Sequence, residues 1–186
     1  MANTSGFWTG GSGGGVPEPK RGFQWVMLIN GIPEWVIKKV TKPSWAISET
    51  EHKYLNHTFY YPGRLTWETI DVTLVDPITP DVSKMVLDKL IQGGYQFPTD
   101  STAAQGTIGK NSAMGQLGTV KIQQLSSFSS PSTGEAVVAE EWELVNAWIK
   151  DVKFGELDYD SEDMVEVTLT LRFDYAMLSE SPGISQ

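Results

Sequence analysis

Several short groups of residues in this sequence have types and spacings that could do chemistry. Glu140, Glu141 and Glu143 offer the carboxylate pair that glycoside hydrolysis uses, one acid to protonate and one to attack or to activate water. On a strand Glu141 and Glu143 share a face, but acids lie that way on any solvated strand. His52 and His57, beside Glu51, are the only imidazoles. Read as one strand, their spacing places them on opposite faces, where they cannot share a metal ion. Asp158, Asp160, Glu162 and Asp163 supply the oxygen ligands that calcium needs, yet the central glycine is missing and Leu169 stands at the twelfth position. Gly106 to Asn111 imitates a phosphate-binding loop, with its glycines too close and Asn where Ser or Thr is required. There is no cysteine, so no disulfide or thiolate, and no histidine is matched to a nucleophile. The sequence predicts a non-enzyme with no catalytic, metal-binding or cofactor-binding residues.

Charge says more than these motifs do. The net charge is −9 over 186 residues, and it is unevenly placed. Residues 1–93 hold nine acids and nine bases, whereas residues 135–180 hold thirteen acids against Lys150, Lys153 and Arg172. That is the wrong sign for gripping nucleic acid, which relies on Lys and Arg displacing phosphate counterions. No window approaches the roughly 18 apolar residues of a membrane helix, and the N-terminus lacks the basic start and apolar core of a secretory signal. The expectation is a chain made in a reducing cytoplasm, with no membrane partner.

The elements that must position these residues are mostly strands. In residues 162–175, EDMVEVTLTLRFDY, the odd positions from Val165 to Tyr175 are apolar, and Glu166, Thr168, Thr170, Arg172 and Asp174 fill the gaps. Period two marks a strand with one dry and one wet face, and a one-residue slip would bury the charges. Asn30-Gly31 between two β-rich runs predicts a hairpin of residues 22–30 and 32–40. Further strands are expected at 50–61, 65–75, 119–128 and 136–149, with connections at 41–47 and a turn at Pro62-Gly63. One amphipathic helix is expected at about residues 80–93, with Thr79 as its cap and Gly93-Gly94 as its end. Residues 95–117 are Gly, Ser, Thr, Ala and Gln with little to pack, and read as a long loop. The expected organisation is a flexible Gly-rich N-terminal arm (1–20), one β domain (21–176) and a flexible tail (177–186). Phe7 and Trp8 are unusual in such an arm: either they are incidental, or the arm orders when they dock on a neighbouring subunit.

The order of these elements resembles the tail tube proteins of contractile, T4-like myovirus tails, whose relatives form the inner tubes of contractile injection systems. The resemblance rests on Trp148 to Glu156, the acidic step Leu157-Asp158-Tyr159-Asp160-Ser161, the closing EVTLTLRFDY, and YPGRLTWETIDVTLV followed by Asp76. It spans roughly residues 36–92 and 136–176; the Gly-rich arm and the 95–117 loop are longer than that pattern.

The resemblance implies a mainly β fold, two packed antiparallel sheets forming a partly closed sandwich or barrel with one flanking helix. It implies a structural subunit that closes into hexameric rings stacked as a tube, within a contractile sheath. Baseplate and terminator proteins would be its other partners, and DNA a passing cargo in a virion tail assembled in the bacterial cytoplasm. On that reading the lumen is acidic. Its candidate lining is Glu166, Thr168, Thr170, Arg172 and Asp174, with Glu141 and Glu143 in addition. Phe7, Trp8, Trp45, Tyr54, Tyr60 and Tyr61 are candidate contacts between subunits. A tube initiator or terminator, or the inner tube of an injection particle, fits the same pattern. A small β-barrel that encloses a ligand in its Trp-rich core is the reading from a different class.

Overall fold

Residues 166–172 behave as their alternation requires. In the computed structural model, which describes residues 19–101, 103–129 and 136–180, Val167, Leu169 and Leu171 are fully buried and their even-numbered neighbours are half-buried. Ten strands form two four-stranded antiparallel sheets and a separate two-stranded one, with no closed barrel among the described residues. The first sheet has the order β1 (Trp25–Leu28), β6 (Val120–Ser129), β7 (Ala136–Val145), β10 (Tyr175–Glu180). The second has the order β2 (Ile37–Val40), β5 (Ile70–Val75), β9 (Glu166–Arg172), β8 (Trp148–Lys153). One apolar core lies between them: Met27, Ile122 and Leu144 come from the first, and Val72, Leu169 and Leu171 from the second. This is a sandwich, with β3 (Trp45–Tyr54) and β4 (His57–Trp67) paired, among the described residues, only with each other.

The helix sits where periodicity places it, with a different cap. In α1 (Val82–Gln92) the Asp81 carboxylate accepts from the Lys84 N–H at 2.8 Å, and Asp76 accepts from the Val82 N–H at 2.9 Å. Asp81 thus takes the role expected of Thr79, and Pro80 lies outside the helix. A second helix, α2 (Lys110–Leu117), occupies the end of the segment expected to be a loop. Its Ala113, Gln116 and Leu117 are buried, so packing supplies what its weak amphipathicity does not. Lys89 on α1 is buried and donates to the Gln116 carbonyl at 2.7 Å. Desolvation lowers its pKa.

Several expected strands divide. Asn30-Gly31 does turn the chain, with Gly31 at φ +74° and the Ile32 N–H on the Ile29 carbonyl at 3.2 Å. Yet β1 and β2 then enter different sheets, because each run buries its own apolar residues against a different partner, β6 or β5. Residues 136–149 break at Asn146 (φ +57°), so β7 and β8 also lie in opposite sheets. The 162–175 run begins its ladder at Glu166 and breaks after Arg172, where Phe173 and Asp174 carry the chain across to β10. β10 extends to Glu180, so part of the expected C-terminal tail is a paired strand.

The 50–61 segment reverses at Leu55 (φ +52°) into the β3–β4 hairpin. Pro62-Gly63, expected to turn the chain, lies within β4 opposite a register shift at Ser48, whose hydroxyl accepts from the Arg64 N–H at 2.9 Å. A two-stranded ribbon has two free edges, so proline interrupts no ladder there.

Candidate functional site

The outer face of the β2–β5–β9–β8 sheet carries the even residues of β9. Register places Thr168 between Thr73 and Lys153, and Thr170 between Asp71 and Asp151. The Thr170 hydroxyl donates to the Asp71 carboxylate at 2.8 Å. Arg172 pairs with Trp148 at one end of the strand, and Glu166 contacts the Lys38 ammonium at the other. A bulge between Ile37 and Lys39 turns Lys38 and Lys39 to this same face. Glu166, Asp71 and Asp151 therefore stand against Lys38, Lys39, Lys153 and Arg172. The neighbouring strands thus bring Lys38, Lys39 and Lys153 to the face of the candidate lining residues, which the sequence of one strand cannot reveal.

The remaining candidates for the lining lie elsewhere. Asp174 sits at the corner after β9, where Lys110 and the Asn146 amide donate to its carboxylate, the latter at 2.7 Å. These donors, Lys110 first, lower its pKa. Glu141 and Glu143 are on β7, facing outward from the opposite sheet, because Leu144 and Trp142 pack toward the core. Lys121 donates to Glu141 at 2.8 Å, and Gln123 at 2.6 Å, lowering the Glu141 pKa. The two sets of candidates thus occupy opposite surfaces of the sandwich.

The hairpin presents the aromatic candidates. Trp45, Tyr54, Tyr60 and Tyr61 are all more than half exposed. Pairing of Tyr54 with His57 and of His52 with Phe59 places both histidines on one face with Tyr54, Phe59 and Tyr61; Tyr60 is on the other. The opposite-face argument from a single strand therefore does not hold. Among the described residues no group of three or more His, Asp or Glu is arranged to hold a metal. Phe7 and Trp8 lie outside the described residues.

Two features escaped sequence reasoning. Glu140, directed inward and nearly buried, contacts Lys20 and accepts from Lys42 at 2.8 Å and from the Trp142 indole. Burial alone would raise its pKa, but these donors outweigh burial and hold it at about 2. Alternation did mark Glu140 as sharing the apolar face of Trp142 and Leu144, and that was the available signal. The second is an apolar cleft of about 770 Å³ between α1, α2 and the β8 edge, which needed α2 to be visible.

No family model and no curated protein matches the sequence. Its fold is shared by chains from solved structures of contractile injection particles. A chain of the six-fold symmetrised anti-feeding prophage baseplate matches with a TM-score of 0.61 at 13% identity, over 89% of this chain and 98% of that one. A chain of the sheath/tube terminator of the extracellular contractile injection system PVC matches at 0.57, with 13% identity over 89% and 99%. A chain of the PVC sheath-tube complex matches at 0.54, with 14% identity over 87% and 92%. At such identities the likeness is one of fold.

Proposed function

We propose that this chain is a structural tube subunit of a contractile tail or injection particle, six copies closing into a ring and rings stacking into a conduit. The observation that carries the reading is the β3–β4 arm. Its strands are 10 and 11 residues long, exposed throughout except at Trp67, and bonded to no other sheet among the described residues. An isolated two-stranded ribbon is marginal in water, so this arm needs a surface outside its own subunit. The open edges of both four-stranded sheets add to that need, since unpaired strand edges invite pairing and ring closure satisfies them. Stacked identical rings make contacts that do not close, which yields a filament.

The outer face of the β2–β5–β9–β8 sheet is the proposed lumen wall, with Glu166, Thr168 and Thr170 exposed to the cargo and Arg172 at its β8 margin. It is the more polar of the two outer surfaces; the other carries the exposed Tyr175 and Met177 beside Glu141 and Glu143. A cation already engaged by a carboxylate, as Lys38 is by Glu166, is poorly placed to displace a counterion from DNA. The wall therefore lets duplex DNA slide instead of binding it. Asp174, Glu141 and Glu143 act outside the lumen, in the corner and on the opposite surface.

Electron microscopy of the purified chain tests the assembly. Long hollow tubes are the expected result, and they should be lost in Tyr54→Ser/Tyr61→Ser with the fold intact by circular dichroism. Single capped rings would assign the chain to the tube end, a reading favoured by the PVC terminator match. A monomer that ignores concentration and added baseplate would overturn both.

A further inference from the structure

The cleft beside β8 has walls that a soluble monomer has no reason to leave open. Leu87 and Leu90 of α1, Ile108 before α2, and Phe154 after β8 are each 37–48% exposed around it. Its rim is cationic: Lys110, Lys150 and Arg172 line it, and Asp174 is the one carboxylate among the lining residues. An apolar floor with a basic rim fits an acidic segment that carries large apolar side chains.

The connection between β8 and β9 has that chemistry. Residues 155–165 contain Glu156, Asp158, Asp160, Glu162 and Asp163 and no basic residue. Among these acids Leu157 is 88% exposed, Tyr159 fully exposed, and Met164 65% exposed. The loop has a fixed root. Gly155, at φ +81°, stands so close to the Glu166 carbonyl that a Cβ would lie 2.6 Å from it. Another exposed apolar element, the β3–β4 arm, balances Glu49 and Glu51 against Lys53 and Arg64, so it has no comparable attraction to a basic rim.

Placement completes the match. The loop lies over the β2 side of its sheet, where Asp163 and Lys38 line one surface hollow. The cleft runs along β8, the opposite edge of that sheet. A knob at one edge and a socket at the other is the arrangement a head-to-tail ring requires, since each copy then offers both halves of every contact. We propose that the 155–165 loop of one copy seats Leu157 and Tyr159 in the α1–α2–β8 cleft of the next, its acids against Lys150 and Arg172. The inference rests on the tube reading for its ring and names the lateral contact within it.

The chain contains no cysteine, so introduced ones report a single contact. A chain carrying Tyr159→Cys is mixed with a chain carrying Leu90→Cys under assembly conditions and oxidised. A disulfide-linked dimer of the two is expected, with none from Tyr60→Cys or Trp8→Cys mixed with Leu90→Cys. The charge test runs in parallel: Asp158→Lys/Asp160→Lys and Lys150→Glu/Arg172→Glu each lose rings alone, and the two variant chains mixed together regain them. Wild-type tubes with no Tyr159–Leu90 link, or with the link formed from Tyr60 or Trp8 instead, overturn this contact and leave the tube reading standing. Linked dimers from the Tyr159→Cys and Leu90→Cys pair, alongside a wild type that never forms rings or tubes, uphold the contact and overturn the tube.

Discussion

Lys110 Nζ donates to both carboxylate oxygens of Asp174, at 2.9 and 2.7 Å, across 64 residues of sequence. The pair ties the start of α2 to the corner where the chain leaves one sheet for the other. Asn146 joins the same carboxylate from the β7–β8 crossing, and the Asp174 N–H returns to the Val145 carbonyl at 3.0 Å. The β7–β8 and β9–β10 crossings are therefore fastened at one point.

Asp174→Ala should lower stability by only about 1 kcal/mol, because the Lys110 and Asp174 side chains are 60% and 38% exposed and water screens the pair. Its larger effect should be local. The amides of residues 110–117 should exchange faster, with those of β9 unchanged. Uniform exchange across the chain would show that the corner does not anchor α2.

Acid should weaken the fold through Glu140. Its carboxyl titrates at about 2 when folded against an ordinary value of 4.5, so its contribution is complete above pH 4.5 and is lost as pH falls from there toward 2. The full shift would correspond to about 3 kcal/mol; about 2 kcal/mol is expected, since Lys20 and Lys42 are half exposed. Denaturant melts between pH 6 and 2.5 should show that slope in the wild type and a shallower one in Glu140→Gln.

The two faces of β9 should respond differently. Leu169→Ala removes a fully buried side chain between the sheets and should cost about 3 kcal/mol. Thr168→Ala, on the polar face, should cost less than about 1 kcal/mol. Equal losses would mean the outer face is covered within the subunit.

Charge on the proposed lumen wall should govern DNA retention. Wild-type tubes should not retain duplex DNA at low salt. Glu166→Gln frees Lys38 on every copy and should produce binding that disappears as salt rises. DNA held by the wild type, or no change in the variant, would remove that face from the lumen.

Elements with a strong period and a local stop signal could be read from sequence alone. β9 has strict alternation, and α1 has helical spacing ended by two glycines. Where the expected strand pairs were wrong, the cause was pairing partner and not strand character. Nothing in residues 136–149 says that Asn146 sends the two halves to opposite sheets, and Asn30-Gly31 makes its turn without making a hairpin. α2 was invisible because Gly109 and Gly115 interrupt a polar segment, whose burial comes from α1 and β8. The lining candidates were chosen by period on single strands, which gives the face of a strand but not its neighbours. Hence Lys38 and Lys39, and the separation of Glu141 from Glu166, appear only in three dimensions.

Glu140 grips lysines that belong to two separate extensions. Lys20 stands at the start of the described chain, and Lys42 stands just ahead of the hairpin. Gln124 steadies the same place by donating to the carbonyls of Arg21 and Gln24 at 2.7 and 2.6 Å. Mechanically this is a shared anchor: tension on the root of one extension is borne by the residue that holds the other. A load placed on the hairpin would therefore reach the N-terminal root through one carboxylate of β7.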